Sequence, residues 1–421
     1  MTSCQIVFDK NDHGTFFTGQ IVSGKVIIEF NRRKKLRGIQ LKICGFSSAT
    51  WKDRRSGAKK EHHHKKRRFS GREDYISSNT FLKGSDTGQE VIVEPGSHVF
   101  TFQCLIPENC PSSFEGKYGH IRYVAKVIMI NSLSKNHAYT VGFTVLKLLD
   151  LNWDSSLLKM PANIEAIEGF CLSTAKPVLL SVDITQTGYV PGQMILVSGE
   201  VNNQSNCDAK KINVYLNLKA TYTSDCPRTN FKTEKICLVK KESSPVARRS
   251  RRNFTEIIRV PATAPTCEHL SKIVRISYEI SVVAVMNGFI RNAKAVIPIT
   301  IGNVPLHTAS IPAPRLTDVP STSASAMALA GGCQQENTVS ETIEPELPPP
   351  SYEEAMFMTA DIADDELQSP NGVRETVRFT PRFPVFDVDG LLMPDSIPSA
   401  PPAQTSPVIE KPIEDDVKYL I

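Results

Sequence analysis

The sequence predicts an all-β protein: two tandem β-sandwich lobes followed by a disordered, acidic, proline-rich C-terminal tail. Three observations carry this. Apolar and polar residues alternate through the first 304 positions, landmarks of the first half return in order in the second, and composition changes abruptly near Pro305. Of 421 residues, 49 are Lys or Arg and 44 are Asp or Glu, a formal net charge of +5. That near-balance hides an uneven layout. Residues 305–421 hold 6 basic and 19 acidic side chains with 17 of the 28 prolines, leaving 43 basic and 25 acidic residues before them. A core-forming basic body therefore precedes an arm too acidic and too poor in apolar surface to fold alone.

The strands are read from period two. Ile39, Leu41 and Ile43 alternate with Gln40 and Lys42, and Phe100, Phe102 and Cys104 with Thr101 and Gln103. Ile212–Leu218 and Ile276–Val282 repeat the pattern. Such strands have one face on a core and one in water, as in antiparallel sheets. Pro95-Gly96, Pro191-Gly192 and Asn202-Asn203 mark turns. No stretch of the body sustains a 3.6-residue apolar stripe beyond about three turns, so helices should be few and short. Paired sheets packed as sandwiches follow.

The internal repeat divides the body. Thr18-Gly-Gln-Ile-Val-Ser-Gly-Lys-Val26 is echoed by Pro191-Gly-Gln-Met-Ile-Leu-Val-Ser-Gly-Glu-Val201. Lys34-Lys35 and Lys210-Lys211 each open an alternating strand. Pro107 and Pro111 precede Ile121–Val127 as Pro261 and Pro265 precede Ile276–Val282. The expected lobes are residues 4–148 and 177–304. Residues 149–176, with Asp150-Leu-Asn-Trp153, form a packed connector, and the tail is 305–421.

These residues carry a family resemblance. Gly188-Tyr-Val-Pro-Gly-Gln193 followed by Gly199-Glu-Val-Asn-Asn-Gln-Ser-Asn206 resembles the opening of the arrestin C-terminal lobe. Phe16-Phe-Thr-Gly-Gln20 with Ser23-Gly-Lys-Val26 is similar to the matching start of the N-terminal lobe. Leu149-Asp-Leu-Asn152 and a Pro-Pro-x-Tyr tail point to the α-arrestin, or arrestin domain-containing, branch. The resemblance implies arrestin-like, immunoglobulin-like sandwiches. It also implies a non-catalytic adaptor that brings WW-domain HECT-type ubiquitin ligases to transmembrane receptor or transporter cargo. Its expected place is cytoplasmic, peripheral at the plasma membrane and endosomes, with cargo ubiquitination, endocytosis and sorting as the outcome. No cofactor is implied.

The sharpest motif is Pro349-Pro350-Ser351-Tyr352, a WW-domain ligand. Consecutive prolines preset the polyproline II conformation, so little ordering entropy is lost on docking, and the tyrosine fills a neighbouring pocket. A phosphorylated Tyr352 should not fit an apolar pocket. Many relatives have two such motifs. Here Thr380-Pro-Arg-Phe-Pro-Val-Phe386 stands where a second would fall, so avidity across two WW domains is not expected.

The run Lys52–Arg72 contains ten Lys or Arg, two acidic residues and three histidines, and reads as a long solvated loop. Lys65, Lys66, Arg67 and Arg68 are its densest part. A plain solvated insert, attraction to anionic membrane lipids or acidic cargo tails, and nuclear import or nucleic-acid binding all fit its charge. No recognition module or aromatic platform accompanies it, so nucleic acid is not expected. Contact with the acidic arm is a further option. His62-His-His64 lacks the spacing and companions of a metal site, and no metal is expected. Arg248-Arg-Ser-Arg-Arg252 is a smaller basic loop. Asp416, Leu420 and Ile421 fit an acidic dileucine sorting motif read by clathrin adaptors, or a hydrophobic PDZ-type terminus. Leu391-Leu-Met-Pro-Asp395 resembles a clathrin box only loosely, with Pro394 where an apolar side chain is wanted. Thr317–Ser325 is a Ser/Thr-rich stretch open to phosphorylation.

No phosphate loop, dinucleotide fingerprint, metalloprotease helix or nucleophile elbow occurs, so no catalytic residues are assigned. The first ten residues do not read as a secretory signal, and no apolar run approaches the ~20 residues of a membrane helix. The ten cysteines form no CxxC pair and read as reduced thiols, mostly buried. Two alternatives remain. One is an endocytic cargo scaffold that acts without a ligase. The other, a thioredoxin-linked redox or metabolic regulator, is implied by resemblance to one α-arrestin relative that binds thioredoxin through a disulfide. It is disfavoured, because aligning on Arg275-Ile-Ser-Tyr278 puts Ser271 where that relative's pairing cysteine stands, and the nearest thiol, Cys267, is four residues away.

Overall fold

The computed structural model of the chain describes residues 2–9, 14–53, 67–85, 89–131, 136–153, 155–168, 176–288, 291–306, 350–362 and 377–386. Alternation in sequence becomes alternation in burial. Along Ile21–Phe30, Val22, Val26, Ile28 and Phe30 point inward while Ile21, Lys25 and Glu29 are exposed. Helix is confined, among the described residues, to α1 (Ser155–Leu158) and a 3-10 turn at Met356–Met358.

The first lobe sandwiches two sheets. One orders β1 (Thr2–Phe8), β3 (Ile21–Phe30) and β8 (Gly96–Leu105). The other orders β2 (Thr15–Phe17), β11 (His137–Leu146), β10 (Gly119–Ile130), β5 (Gly38–Asp53) and β6 (Arg67–Gly84), with β9 (Phe114–Glu115) beside β10. β4 (Lys34–Leu36) and β7 (Val91–Val93) form a short ribbon. Phe8, Phe16 and Phe143 meet edge-on between the sheets, centroids 5.4–5.8 Å apart.

The second lobe has the same plan. β13 (Val178–Ile184), β15 (Met194–Asn203) and β18 (Ser250–Arg259) take the places of β1, β3 and β8, with β12 (Ala162–Glu168) added at the edge. β14 (Gly188–Tyr189), β20 (Ala293–Ile301), β19 (Val274–Met286), β16 (Ala209–Ser224) and β17 (Asn230–Ser243) repeat the larger sheet. Even the parallel pairs match: β2 with β11, and β14 with β20.

The repeated residues have one job in both lobes. Gly19 and Gly192 have φ of +84° and +94°, the left-handed backbone of a tight turn into β3 and β15. The following glutamine returns to close each turn: Phe17 N donates to Gln20 Oε1 at 2.9 Å, and Val190 N to Gln193 Oε1 at 3.1 Å. Gly24 and Gly199 each lie opposite an aromatic residue, Phe102 and Phe254, whose rings would be 2.8 Å from an added Cβ.

The connector is partly packed. Leu151 is buried and Asn152 Nδ2 donates to the Pro305 carbonyl at 2.7 Å, but Trp153 is 94% exposed. β12 of the connector is itself a strand of the second lobe.

Two stretches of the arm differ from the expected disordered tail. β21 (Ser351–Glu354) pairs antiparallel with β24 (Arg382–Val385), and β22 (Ala360–Asp361) with β23 (Arg378–Phe379), making one long ribbon that lies on the lobes. Ala355, Met358, Ile362, Phe383, Val385 and Phe386 are buried by it. Sparse apolar residues spaced through an acidic segment cannot make a core of their own, but they can complete a surface already provided. Apart from Pro305 and Leu306, the rest of the arm lies outside the described residues.

Candidate functional site

The arm crosses the outer face of the larger N-lobe sheet. Cys44, Val124 and Gly142 sit side by side on β5, β10 and β11, and this row is what the ribbon covers. Ile362 packs with Phe46 and Val124, with Cys44, Val377 and Phe379 around them. Gly142 provides the dent: a Cβ there would stand 2.7 Å from the Phe379 ring and 3.1 Å from Ile362. Further along, Arg382 N donates to Thr144 Oγ1 at 3.1 Å. The ribbon ends on the second lobe, where Phe386 N donates to the Pro191 carbonyl at 2.9 Å and its side chain joins Leu151 and Val190. It therefore touches both lobes.

The predicted WW ligand lies in this ribbon. Pro349 is outside the described residues, Pro350 is half-exposed, and Tyr352 stands opposite Pro384 in the β21–β24 pairing. Tyr352 is half-buried and packed against the main core, and burial raises its phenol pKa. Beside it Arg382 Nη2 donates to Glu354 Oε1 at 2.8 Å. The sequence places this motif in an accessible arm; the structure holds its tyrosine in a strand instead, because Phe383 and Val385 on the partner strand are drawn into the core.

The basic run is partly strand. β5 continues to Asp53 and β6 begins at Arg67, with Asp53 opposite Arg67 and Lys52 opposite Arg68. Trp51 and Phe69 stack across the pair at 5.6 Å, and the Arg67 guanidinium lies 5.9 Å from the Phe69 centroid. Arg67 and Arg68 are exposed at the loop end of the hairpin. Lys65, Lys66 and the three histidines lie outside the described residues. Arg72 belongs to the sheet surface, 4.1 Å over the Phe46 ring and paired with Asp74 at 2.8 Å. In the second basic loop Arg249 Nη2 donates to Asn206 at 2.9 Å and Arg252 Nη1 to the Pro245 carbonyl at 2.9 Å. Asp416, Leu420, Ile421, Thr317–Ser325 and Leu391–Asp395 lie outside the described residues.

Sequence reading missed a polar seam between the lobes. The Tyr75 hydroxyl is 2.8 Å from Ser47 Oγ, 2.9 Å from Glu73 Oε2 and 2.9 Å from Ser271 Oγ, so N-lobe strands and the C-lobe segment before β19 share one hub. Lys272 N donates to Glu73 Oε2 at 2.9 Å. Burial raises the Tyr75 pKa, keeping it a neutral donor. A second link joins Lys117 N to Glu234 Oε2 at 3.0 Å, with the Tyr222 hydroxyl donating to the same oxygen at 2.7 Å. Inside the first lobe, Arg122 Nε and Nη2 donate to the two Glu115 oxygens at 2.5 and 2.8 Å, both side chains buried. Desolvation raises the Glu115 pKa while Arg122 lowers it, the first effect prevailing. No local motif announces these contacts. One signal was present: Ile121–Ile130 is apolar on nearly every position, the mark of a strand covered on both faces.

Ser271 is thus buried in the seam, and Cys267 is buried with its thiol pushed up to about 11. Of the described cysteines only Cys110 and Cys267 are fully buried, and Cys226 and Cys237 are exposed, so the expectation of mostly buried thiols is corrected. Among the described residues no group of three or more His, Cys, Asp or Glu could hold a metal ion, and no helix is long and apolar enough to cross a membrane.

Comparison with known proteins agrees with this architecture. The family described as "Arrestin (or S-antigen), N-terminal domain" matches residues 4–152, and "Arrestin (or S-antigen), C-terminal domain" matches residues 174–306. Arrestin domain-containing protein 17 of Caenorhabditis elegans is 32% identical over 206 residues, 48% of this chain and 48% of that protein. Arrestin domain-containing protein 4 of Mus musculus is 29% identical over 206 residues, 48% of this chain and 49% of that protein. Arrestin domain-containing protein 1 of Homo sapiens is 28% identical over 242 residues, 57% of this chain and 53% of that protein. The chain spans about half the length of the curated relatives it matches.

Proposed function

Because this chain belongs to the arrestin family, in its α-arrestin branch, we infer that it is an adaptor without catalytic chemistry that recruits a WW-domain HECT ubiquitin ligase to membrane-protein cargo. One observation carries the reading: Pro349-Pro350-Ser351-Tyr352 follows two arrestin lobes on an acidic arm. The lobes hold a transmembrane receptor or transporter, the ligase modifies it, and the cargo is internalised and sorted. The body's excess of basic residues favours the anionic cytoplasmic leaflet, with the β5–β6 hairpin and Lys65–Arg68 as its densest charge. Asp416, Leu420 and Ile421 supply a contact for clathrin adaptors. The adaptor works at the plasma membrane and endosomes.

The test is a titration of the full-length chain with WW domains from a HECT ligase, beside the Tyr352→Ala variant. Removing an anchoring aromatic from its pocket costs about 2 kcal/mol or more, or roughly thirtyfold in affinity. Saturable binding that weakens by that factor supports the adaptor. Equal binding by both chains, or no binding by a free peptide of residues 345–356, overturns the ligase end of the reading.

A further inference from the structure

The ribbon that covers Cys44, Val124 and Gly142 also holds the tyrosine that a WW domain must take. Docked as polyproline II, the ligand needs its own backbone conformation and gives its tyrosine ring to the partner's pocket. In the ribbon Ser351, Tyr352 and Glu353 run as a strand opposite Val385, Pro384 and Phe383, and the tyrosine ring lies half-buried against the lobes. One tyrosine cannot serve both. We propose that the arm is a strap across both lobes that masks its own WW ligand, with Thr380–Phe386 as the masking strand, so that strap docking and ligase binding exclude one another. The proposal rests on the ligase reading above.

Two features make the strap releasable. Pro384 has no N–H to give to the pairing, just where Tyr352 stands. A ribbon of two strands is marginal in water by itself, so its order depends on the face beneath it. Evicting the strap from the lobes therefore frees the motif. The masking strand occupies the place where a second Pro-Pro-x-Tyr would fall. A position that could have added avidity instead restrains the motif that remains. Because Phe386 reaches the Pro191 turn while Ile362 and Phe379 lie on the first lobe, release also removes a contact that both lobes share.

Gly142 offers a test from the lobe side. Its three nearest atoms beyond the strand all belong to the arm, Phe379 and Ile362, so Gly142→Val crowds the strap and leaves the WW ligand's sequence intact. Phe379→Ser does the same from the arm side, outside the motif. WW-domain affinity is measured for the wild-type full chain, for each variant, and for a free peptide of residues 345–356. If only a fraction of the chains has the motif free, apparent affinity falls by that fraction. The wild-type chain should bind at least about tenfold more weakly than the peptide, and both variants should approach the peptide. Wild-type chain and peptide binding equally, or both variants binding like wild type, overturns the strap. A peptide that does not bind overturns the ligase reading itself. Amide hydrogen exchange gives an independent readout: protection over Ser351–Glu354 should be present in the wild-type chain and lost in Gly142→Val, and equal exchange in the two would overturn the proposal.

Discussion

His120 shows how a single side chain is set by its surroundings. It lies on β10 with its ring edge-on to Phe46 at 5.7 Å. Burial, and then the charges of Arg122 and Arg72, hold its pKa at about 3, below the ordinary 6.5. In the unfolded chain the imidazole takes a proton as pH falls through about 6.5, whereas in the folded chain it stays neutral until about 3. Stability is therefore complete above pH 6.5 and is lost progressively as pH falls from 6.5 towards 3, at up to about 1.4 kcal/mol per unit. Urea unfolding at pH 7 and pH 5 should show this, and His120→Gln should shrink the difference between the two by about 1–2 kcal/mol. An unchanged difference would assign the acid sensitivity to other groups. The Glu115–Arg122 pair is another local device. Its bidentate geometry satisfies both buried charges, whereas removing one partner would strand the other.

At the scale of elements, the paired lobes explain which sequence features recur. A turn glycine, a glutamine that closes the turn and a glycine under an aromatic ring are needed once per sandwich, and each appears twice. The β5–β6 hairpin has its counterpart in β16–β17 of the second lobe, and its own mark is the basic run between its strands. Trp51 stacked on Phe69 stiffens its loop end, where Arg67 and Arg68 face solvent. Lys65, Lys66, Arg67 and Arg68 each contribute on the order of 1 kcal/mol near an anionic surface. Changing all four to alanine should sharply weaken sedimentation with phosphatidylserine vesicles at low salt and leave thermal stability unchanged. Retained vesicle binding would move the membrane contact elsewhere on the basic body.

For the whole molecule, the arm serves two purposes that a deletion cannot separate. Removing residues 305–421 takes away the Tyr352 motif and should abolish cargo ubiquitination while sparing cargo binding. It also uncovers Phe46, Val124, Leu151 and Val190 on the two lobes. The truncated chain should therefore unfold several degrees lower, at about 2–4 °C per kcal/mol lost for a lobe of roughly 150 residues. Ubiquitination that survives deletion would overturn the adaptor reading, and an unchanged thermal midpoint would show that the arm adds no stability to the lobes. Tyr352→Ala remains the cleaner probe of recruitment, because it leaves the masking strand in place.

The strands, the two-lobed repeat and the motif at Pro349–Tyr352 are legible without a fold, because each is written in local pattern: apolar–polar alternation, turn residues at fixed offsets, and consecutive prolines. The nearly continuous apolar run of β10 likewise marks a covered face. What covers that face is settled only once the chain is folded. Ile362, Phe379 and Phe386 are too few and too far apart to mark a fold, and their value appears when Gly142, Val124 and the Pro191 turn are brought together from both lobes. The Tyr75–Ser271 hub is hidden for the same reason. Its partners are 196 residues apart, and a hydrogen bond across that distance leaves no periodicity in the chain that makes it.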